Sequence, residues 1–388
     1  MKSFMNRINK TGFLLLIAFL LELSFFTFFQ GKFGWFLSPI IYLLVNAFIA
    51  FYPIYLLVKH QESEAVPDNT FKLPIIQVGI VLLVLSIGLI FYMQHYILSI
   101  YPIDLKYSDI IPAMKVYVSR FLNHQYVYAL ITEFGYEMYP TYLPCTWGAF
   151  ILPDVLHFDY RLMALLILLF SLVFYTRNVL LTGGTKADQW LKILLPYFSM
   201  LLLFIYLPFD MGATVEIFVL GYYIFLAYSI SGKSNLLKGL AIILCLLSRY
   251  SLILWLPLLF LMLFYRNKKD AIIAGFIVFL GVLLLYIIPY LSADWQLFTK
   301  GVGKYVGAAS AEWSGQWWQK PGDMPIQLSR GFGFAIYFYK GLSGDLIYKI
   351  SMLKNAQLII TLLTVGGLTG AYFWKFKSYV TVELYALL

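Results

Sequence analysis

Two carboxylates, Asp104 and Asp109, stand five residues apart just before a stretch with helical periodicity. Ser108 or Asp109 can cap that helix, and Pro112 is tolerated in its first turn. A carboxylate at a partly desolvated surface can accept a proton from a hydroxyl group, because desolvation raises its pKa toward neutrality. An Asp in this position is also commonly a plain helix cap. The spacing leaves both roles open for Asp109, with Asp104 as the second candidate for a base.

Basic side chains that could bind a phosphate are few and dispersed. Arg249 ends an apolar run, whereas Lys304, Lys320 and Arg330 lie in a long polar segment further along the chain. Arginine suits phosphate because its planar fork of donors can bind two oxygens at once. Arg249 can equally extend toward a membrane interface, and the lysines can be simply solvated. Anion binding is therefore one of two interpretations for each of these residues.

Neither the histidines nor the cysteines have the spacing of a metal site. The four histidines are scattered, and Cys245 lies inside an apolar run, far along the chain from Cys145. The sequence therefore indicates no disulfide framework, no metal and no other cofactor. A divalent metal is compatible with the sequence but is not indicated by it.

The chain that must position these side chains is strongly apolar. Hydrophobic residues make up 61% of its 388 residues and charged residues 12%, whereas about a quarter of a soluble domain is charged. Since about 20 apolar residues cross a bilayer as a helix, we expect an all-α polytopic membrane helical bundle of about 10–11 transmembrane helices. It forms a single membrane-embedded domain over residues 1–388. The predicted spans are 12–29, 36–58, 73–98, 160–181, 190–208, 213–231, 236–250, 252–265, 270–291 and 356–374, with an eleventh that begins at Tyr379.

Lys and Arg are distributed unevenly between the segments that connect the spans. With the N-terminus in the cytoplasm, cytoplasmic segments hold 15 of the 28 basic residues in 56 positions, and outer segments hold 11 in 136 positions. This bias follows the positive-inside rule and predicts a multi-pass protein of the plasma (inner) membrane. It requires 236–250 and 252–265 to be two crossings. Because the net charge of +9 is spread between apolar runs, we expect membrane lipid and not nucleic acid as a partner.

With this orientation, the long segment 99–160 faces the extracytoplasmic side, after an N-terminal helical hairpin over 1–72. Its first helix carries its apolar residues on one face: Ile111, Met114, Val118, Phe121 and Leu122. We expect that face to lie among the lipid headgroups. A second juxtamembrane helix is expected over 141–156.

A second extracytoplasmic segment extends over 292–355. Its Trp317 belongs to a tryptophan-rich stretch that suits either a membrane interface or a lid over a substrate. Two further acids border the hairpin of 190–208 and 213–231, with Asp210 between the spans and Glu216 inside the second one. An acid inside a span is a functional-site hypothesis, and a protonated, hydrogen-bonded Glu is the alternative.

An ordered series of motifs extends from residue 104 to residue 181. It contains an outer-loop Asp, an amphipathic helix, Gln125-Tyr126-Val127-Tyr128, Tyr139-Pro140-Thr141-Tyr142-Leu143-Pro144, and Asp159-x-Arg161 at the start of a span that ends in Arg177. This order resembles the GT-C superfamily of integral-membrane glycosyltransferases. The acidic loop follows the third span here and the first in the family, which an extra N-terminal hairpin explains. The family's Tyr/His-Pro-Pro pattern is Tyr-Pro-Thr in this chain.

The resemblance implies a mannosyltransferase-like enzyme that moves a sugar, with inversion, from a polyprenyl-phosphate carrier to a glycan, lipid or protein acceptor. Asp109 matches the family's outer-loop Asp and would be the catalytic base, with Asp104 as the fallback. Binding of the substrate and its lipid phosphate would then fall to the remaining candidates, which are Arg249, Arg330, Lys304, Tyr139, Arg161, Asp210, Glu216 and Trp317.

Two other functional classes fit a chain of this composition. A transporter or flippase of a lipid-linked sugar would place ionisable residues near the bilayer midplane, often on broken and repeated helices. The predicted spans are nearly free of charge and show no repeat. A membrane sugar polymerase or ligase would rely on two outer basic clusters more than on an outer-loop Asp.

Overall fold

The computed structural model describes residues 10–28, 32–60, 73–182, 185–315, 324–325, 328, 333–381 and 385 of the chain. Within these residues the regular structure is helical, apart from an isolated antiparallel bridge between Ile131 and Met138. Six helices are long and apolar enough to cross a membrane, which confirms an all-α, multi-pass architecture. They are Gly34–Tyr55, Ile75–Leu98, Tyr160–Thr182, Lys186–Tyr206, Lys268–Leu291 and Leu346–Phe376.

The other predicted spans correspond to shorter helices. Four apolar helices of 10–17 residues lie at Phe13–Thr27, Ile217–Ser231, Asn235–Leu246 and Leu256–Arg266. The eleventh segment, which begins at Tyr379, lies largely outside the described residues. A total of about 10–11 crossings therefore stays a prediction, because the shorter helices do not reach the length that a full crossing needs.

The described helices are numbered here in chain order. They are α1 (Lys10–Thr27), α2 (Gly34–His60), α3 (Ile75–Tyr92), α4 (Ile110–Leu122), α5 (Pro144–Trp147), α6 (Ile151–Val155), α7 (Tyr160–Thr182), α8 (Lys186–Tyr206), α9 (Pro208–Ala213), α10 (Ile217–Ser231), α11 (Asn235–Leu246), α12 (Leu256–Arg266), α13 (Lys268–Val282), α14 (Leu297–Trp313), α15 (Ala335–Gly341) and α16 (Leu346–Ala371). Three continue as π-helices, over Met93–Leu98, Leu283–Leu291 and Tyr372–Phe376. Two 3-10 turns lie at Gly148–Phe150 and Tyr250–Leu254.

Contacts between residues divide the chain into two compact units. The first consists mainly of residues 66–297, and the second combines 8–65 with 298–386. The first unit contains the segment 99–160 with its carboxylates, and also Arg249. It is therefore the unit that positions most of the predicted site residues.

Helices α11 and α13 of the first unit run parallel and in close contact. Gly239 lies against Ile277, and one turn further along both helices Ile243 lies against Gly281. At the starts of the two helices, the Asn235 amide donates a hydrogen bond of 2.8 Å to Asp270 Oδ1. Two parallel helices joined through α12 require α12 to run in the opposite direction. The segments 236–250 and 252–265 therefore form two helices of opposite direction, as two crossings require, whereas the crossings themselves stay a prediction.

Helix α4 uses its apolar face differently from the prediction. Ile111, Met114 and Val118 are at most 2% exposed and pack beneath α5, the turn Gly148–Phe150 and α6. The expectation that this face lies among lipid headgroups is wrong, because residues 141–156 cover it. That segment itself folds as two short helices around a 3-10 turn instead of one juxtamembrane helix. Phe121 and Leu122, at the end of α4, do remain exposed.

The second unit is held together by the N-terminal hairpin and the helices that follow α14. Helix α1 contacts α2, and α15 contacts both α2 and α16. Trp313, Ile336 and Ile350 form a buried cluster with Trp35 packed against it. Trp313, the last residue of α14, is therefore a core residue. Part of the second long segment is helical.

The close approach of α11 to α13 leads to a first prediction. We expect Gly239→Ala to lower the free energy of unfolding by roughly 1–3 kcal/mol, as overpacking does, because the added Cβ would lie 2.8 Å from the Ile277 Cβ. Gly275→Ala on α13 is the matched control, since its Cβ would meet Phe260 at an ordinary 3.5 Å. Thermal unfolding of the detergent-purified variants measures both effects. Equal unfolding midpoints would contradict the close parallel packing.

Candidate active site

The long segment between α3 and α7 lies at one end of the first unit, called here the loop-bearing end. Helix α8 runs back to this end, so that α9 lies there as well. The turn between α11 and α12 also reaches it, because the Thr146 hydroxyl donates to the Ser248 carbonyl at 3.0 Å. The end of the π-helix after α13 joins them through a 3.0 Å hydrogen bond from the Tyr126 hydroxyl to the Tyr290 carbonyl. Asp104, Asp109, Tyr139, Arg161, Asp210, Glu216 and Arg249 all lie at this end.

Asp109 precedes α4 but does not cap it with its side chain. The helix begins at Ile110, whose N–H donates to Ser108 Oγ at 3.2 Å. The half-buried Asp109 carboxylate instead accepts a hydrogen bond of 2.8 Å from the Tyr136 hydroxyl to its Oδ2. Asp109 is thus the N-cap residue of α4 by position, but its carboxylate makes no capping hydrogen bond and is available for other chemistry.

Tyr136 is a stable donor to this carboxylate. Partial burial, the hydrogen bond to Asp109 and the negative charge of Asp109 raise the pKa of Tyr136 to about 12. The phenol therefore keeps its proton at neutral pH and holds one oxygen of the carboxylate in place. The other oxygen, Oδ1, is left for a substrate hydroxyl.

Arg120, at the far end of α4, fixes the turn that carries Tyr136. Its guanidinium donates to the carbonyls of Val127, Ala129 and Leu130 at 3.4, 2.5 and 3.0 Å, and to Glu133 Oε1 at 3.1 Å. The turn is closed by paired backbone hydrogen bonds of 3.0 and 2.9 Å between Ile131 and Met138. Helix α4 thus carries Asp109 at one end and anchors its partner Tyr136 from the other.

Asp104 occupies a different environment. It is exposed, and its Oδ1 accepts the Lys106 N–H at 2.8 Å, so that it stabilises the turn before α4. It lines a small cavity together with Tyr107, Ile111 and Gly212. Asp109 lines neither of the two cavities that are described for the first unit.

Arg161 is buried and serves as an anchor. It is 2% exposed, and it binds Asp159 through Nε at 2.9 Å and Nη2 at 2.6 Å. Its Nη1 donates to the carbonyls of Tyr101 and Gly212 at 2.5 and 2.8 Å. With four of its five N–H groups engaged in this way, Arg161 ties α7 to the start of the long segment and to α9. This geometry favours a structural role over phosphate binding.

Glu216 and Arg249 form an ion pair at the loop-bearing end. Glu216 is the residue just before α10, so the expectation that it lies inside a span is wrong. Arg249 likewise precedes a 3-10 turn, and both side chains are more than a third exposed, at 39% and 38%. The pair is accessible, and an arginine that already binds one carboxylate can offer its remaining N–H groups to a second anion.

The other predicted residues are less informative. Tyr139 is half-buried in the segment between α4 and α5, and Asp210 is exposed on α9, where partial desolvation raises the pKa of its carboxyl. Lys304 is exposed on α14 in the second unit. Arg330 and Trp317 lie outside the described residues. In the described part of the chain, no group of three or more His, Cys, Asp or Glu side chains could hold a metal ion.

Two residues of this arrangement, Tyr136 and Arg120, are absent from the sequence-based set of site residues. Tyr136 is 27 residues from Asp109, and Arg120 is 13 residues from Glu133. The only sequence signal was the tyrosine-rich composition of the stretch around 136–142. Such a composition does not identify which tyrosine meets a carboxylate.

The burial of Arg161 leads to a second prediction. We expect Arg161→Gln to lower the free energy of unfolding by about 3–5 kcal/mol, because it leaves the Asp159 carboxylate and two carbonyls without their donor. Arg177→Gln on the same helix is the matched control, since Arg177 is exposed and donates to the Tyr228 hydroxyl. It should cost less than about 1 kcal/mol. Chemical denaturation in detergent measures both, and a small effect at Arg161 would show that it is not the anchor.

The raised pKa of Tyr136 leads to a third prediction, on pH dependence. A folded-state pKa of about 12, above the ordinary value of 10, means that the bond to Asp109 stabilises the protein fully below pH 10. The stabilisation is lost as the pH rises through 12. Because Tyr136 is 49% exposed, solvent screens this bond, so that Tyr136→Phe should cost less than about 1 kcal/mol at pH 8, and the difference from wild type should vanish toward pH 12. Denaturation midpoints of the two proteins from pH 8 to 12 measure this, and a constant difference would contradict it.

The chain was also compared with known proteins. No protein-family model, no curated protein and no solved structure matches it. Its function must therefore be argued from the arrangement of its own side chains.

Proposed function

We propose that the protein is a membrane-embedded glycosyltransferase that moves a sugar from a polyprenyl-phosphate carrier to an acceptor hydroxyl. The observation that carries the proposal is the Asp109 carboxylate. It is half-buried, does not cap its helix, and is held by Tyr136 at one end of a helical bundle with membrane-spanning helices. A fixed carboxylate in this position suits a general base that acts on a substrate delivered from the lipid.

The proposed reaction is a direct displacement. Asp109 accepts the proton of the acceptor hydroxyl while the acceptor oxygen forms a bond to the anomeric carbon of the sugar. The bond between that carbon and the phosphate oxygen breaks, and polyprenyl phosphate leaves with the electron pair. The configuration of the anomeric carbon is inverted. Tyr136 orients the base, because its hydroxyl donates to only one carboxylate oxygen.

Arg249 is the proposed contact for the leaving phosphate. It lies at the same end of the bundle as Asp109 and is partly exposed, with Glu216 as its partner. A lipid phosphate can bind the free N–H groups of the guanidinium, because arginine donates along two edges. Tyr139 and Asp210 lie at this end as well and remain proposed sugar contacts. Substrate contacts by Lys304, Arg330 and Trp317 stay predictions from the sequence alone.

The membrane orientation is part of the proposal. The lower density of basic residues in the long segments favours an extracytoplasmic position for the loop-bearing end, with a cytoplasmic N-terminus in the plasma membrane. The motif order between residues 104 and 181 supports a relation to the GT-C superfamily. The proposal needs no metal or other cofactor, since the base and the cation are both side chains of this chain.

The decisive experiment, our fourth prediction, measures the release of polyprenyl phosphate in proteoliposomes. The substrates are polyprenyl-phosphate-linked hexoses and pentoses, with glycan, lipid and peptide acceptors supplied in turn. Asp109→Asn should reduce release about 100-fold or more, as the loss of a general base does. Glu137→Gln is the matched control, because Glu137 is an exposed acid next to Tyr136, and it should leave release within about twofold of wild type.

Three outcomes would contradict the proposal in whole or in part. Undiminished release by an Asp109→Asn protein that inserts and unfolds normally would exclude Asp109 as the base, and a loss confined to Asp104→Asn would assign the role to Asp104. Transfer of the intact lipid-linked sugar across the bilayer, without release of polyprenyl phosphate, would identify a flippase.

A further inference from the structure

A second polar cavity lies at the loop-bearing end, outside the proposed catalytic pair. Its volume is about 340 Å³, near the lower end of small-molecule sites, which span about 300–1,000 Å³. It lies between α4, α6 and the start of α7. Its polar walls are Lys115, Asp154, His157, Asp159 and Tyr160. Because Lys115 and His157 are exposed, the cavity communicates with the surface.

The polar groups of this cavity are arranged in pairs. The buried Tyr160 donates its hydroxyl to Asp154 Oδ1 at 2.7 Å. The Lys115 ammonium lies 5.8 Å from the centroid of the Tyr160 ring. Asp159 is already bound by Arg161 through both of its oxygens. The groups left for a ligand are the second oxygen of Asp154, the Lys115 ammonium and the His157 ring.

This set of groups discriminates between ligand charges. An anionic group would be attracted by Lys115 but repelled by Asp154, and a cationic group would meet the reverse, so that the pair favours neither sign of charge. A hydroxyl group both donates and accepts, and it can therefore bind a carboxylate and an ammonium at the same time. The cavity suits a neutral ligand with several hydroxyl groups.

The position of the cavity relative to Asp109 sets the length of such a ligand. Lys115 lies six residues beyond Asp109, which is about 9 Å along the axis of α4 and about a third of a turn around it. A group bound beside Lys115 can therefore reach the base only through a neighbouring unit. We propose that this cavity binds one sugar ring of a neutral oligosaccharide acceptor, whose next ring carries the reacting hydroxyl to Asp109. The assignment of this sugar as the acceptor rests on the proposed function. The inference that the cavity binds a sugar ring rests on the side chains of the cavity alone.

Binding is tested directly on the full chain in detergent by saturation-transfer NMR. The probes are methyl glycosides of neutral hexoses and of neutral disaccharides, with hexose 1-phosphates as the anionic comparison. Asp154→Asn and Lys115→Met should each weaken glycoside binding about tenfold, as the loss of a hydrogen bond to a charged group does. Lys106→Met is the matched control, because Lys106 is also exposed and lies 5.9 Å from the ring of Tyr107, outside the cavity. It should bind as wild type does.

Several results would overturn the inference. They are the absence of binding by every glycoside of the panel, tighter binding of the hexose 1-phosphates, or unchanged glycoside binding in Lys115→Met. Lys115→Met is the variant expected to leave the fold intact, because Lys115 is an exposed side chain on α4. Asp154→Asn also alters the hydrogen bond from Tyr160. Unfolding midpoints of all variants identify any change that comes from stability alone.

The failure of this inference is distinguishable from the failure of the proposed function. If polyprenyl phosphate is released, Lys115→Met should raise the KM for a disaccharide acceptor about tenfold and leave kcat unchanged. An unchanged KM would exclude the cavity and leave the transferase. Glycoside binding without any release of polyprenyl phosphate would exclude the transferase and leave the cavity as a sugar site.

Discussion

The buried guanidinium of Arg161 is the interaction on which the rest of the first unit depends. It joins the carbonyl of Tyr101 at the start of the long segment, the carboxylate of Asp159 at its end, and the carbonyl of Gly212 in α9. A charge taken out of water is tolerated only when it is paired and hydrogen-bonded, and Arg161 meets both conditions. Because the two ends of the segment meet at one side chain, the 57 residues between Tyr101 and Asp159 form a closed cap with its own interior.

Inside this cap, α4 acts as a rigid spacer. Arg120 holds the following turn by its carbonyls, and the turn returns Tyr136 to Asp109 at the other end of the helix. The Asp109 carboxylate is thus held indirectly by Arg120, through the turn that carries Tyr136. The same helix carries Lys115 to the polar cavity beside α7. One short helix therefore sets the spacing between the proposed base and the proposed sugar site.

The sequence predicted the parts of this structure that local patterns determine. Apolar runs located the helices, and period-3.6 spacing identified the face of α4 that carries Ile111, Met114 and Val118. The pattern could not tell whether that face meets lipid or protein, because both environments accept the same side chains. The segment 141–156 covers it, and this cover depends on tertiary contacts.

The candidate site was predictable only in part, because residues that meet in it lie far apart in the sequence. The spacing identified Asp109 as a carboxylate at a helix start, but its partner lies 27 residues away, and Gly212 lies 51 residues from Arg161. No local period relates such residues. Glu216 was placed inside a span because hydropathy is averaged over a window, whereas the helix begins one residue later, at Ile217. The pairing with Arg249 then follows from the return of α11 to the same end.

The central claim is that the Asp109 carboxylate acts as the base, and chemical rescue tests it most directly. Asp109→Gly removes the carboxylate at a position where glycine is tolerated before a helix, and it leaves room for a small carboxylate from solution. We expect this variant to release little polyprenyl phosphate alone, and we expect added formate to restore release in proportion to its concentration. Release by Asp109→Gly at the wild-type rate without formate would show that Asp109 is not the base.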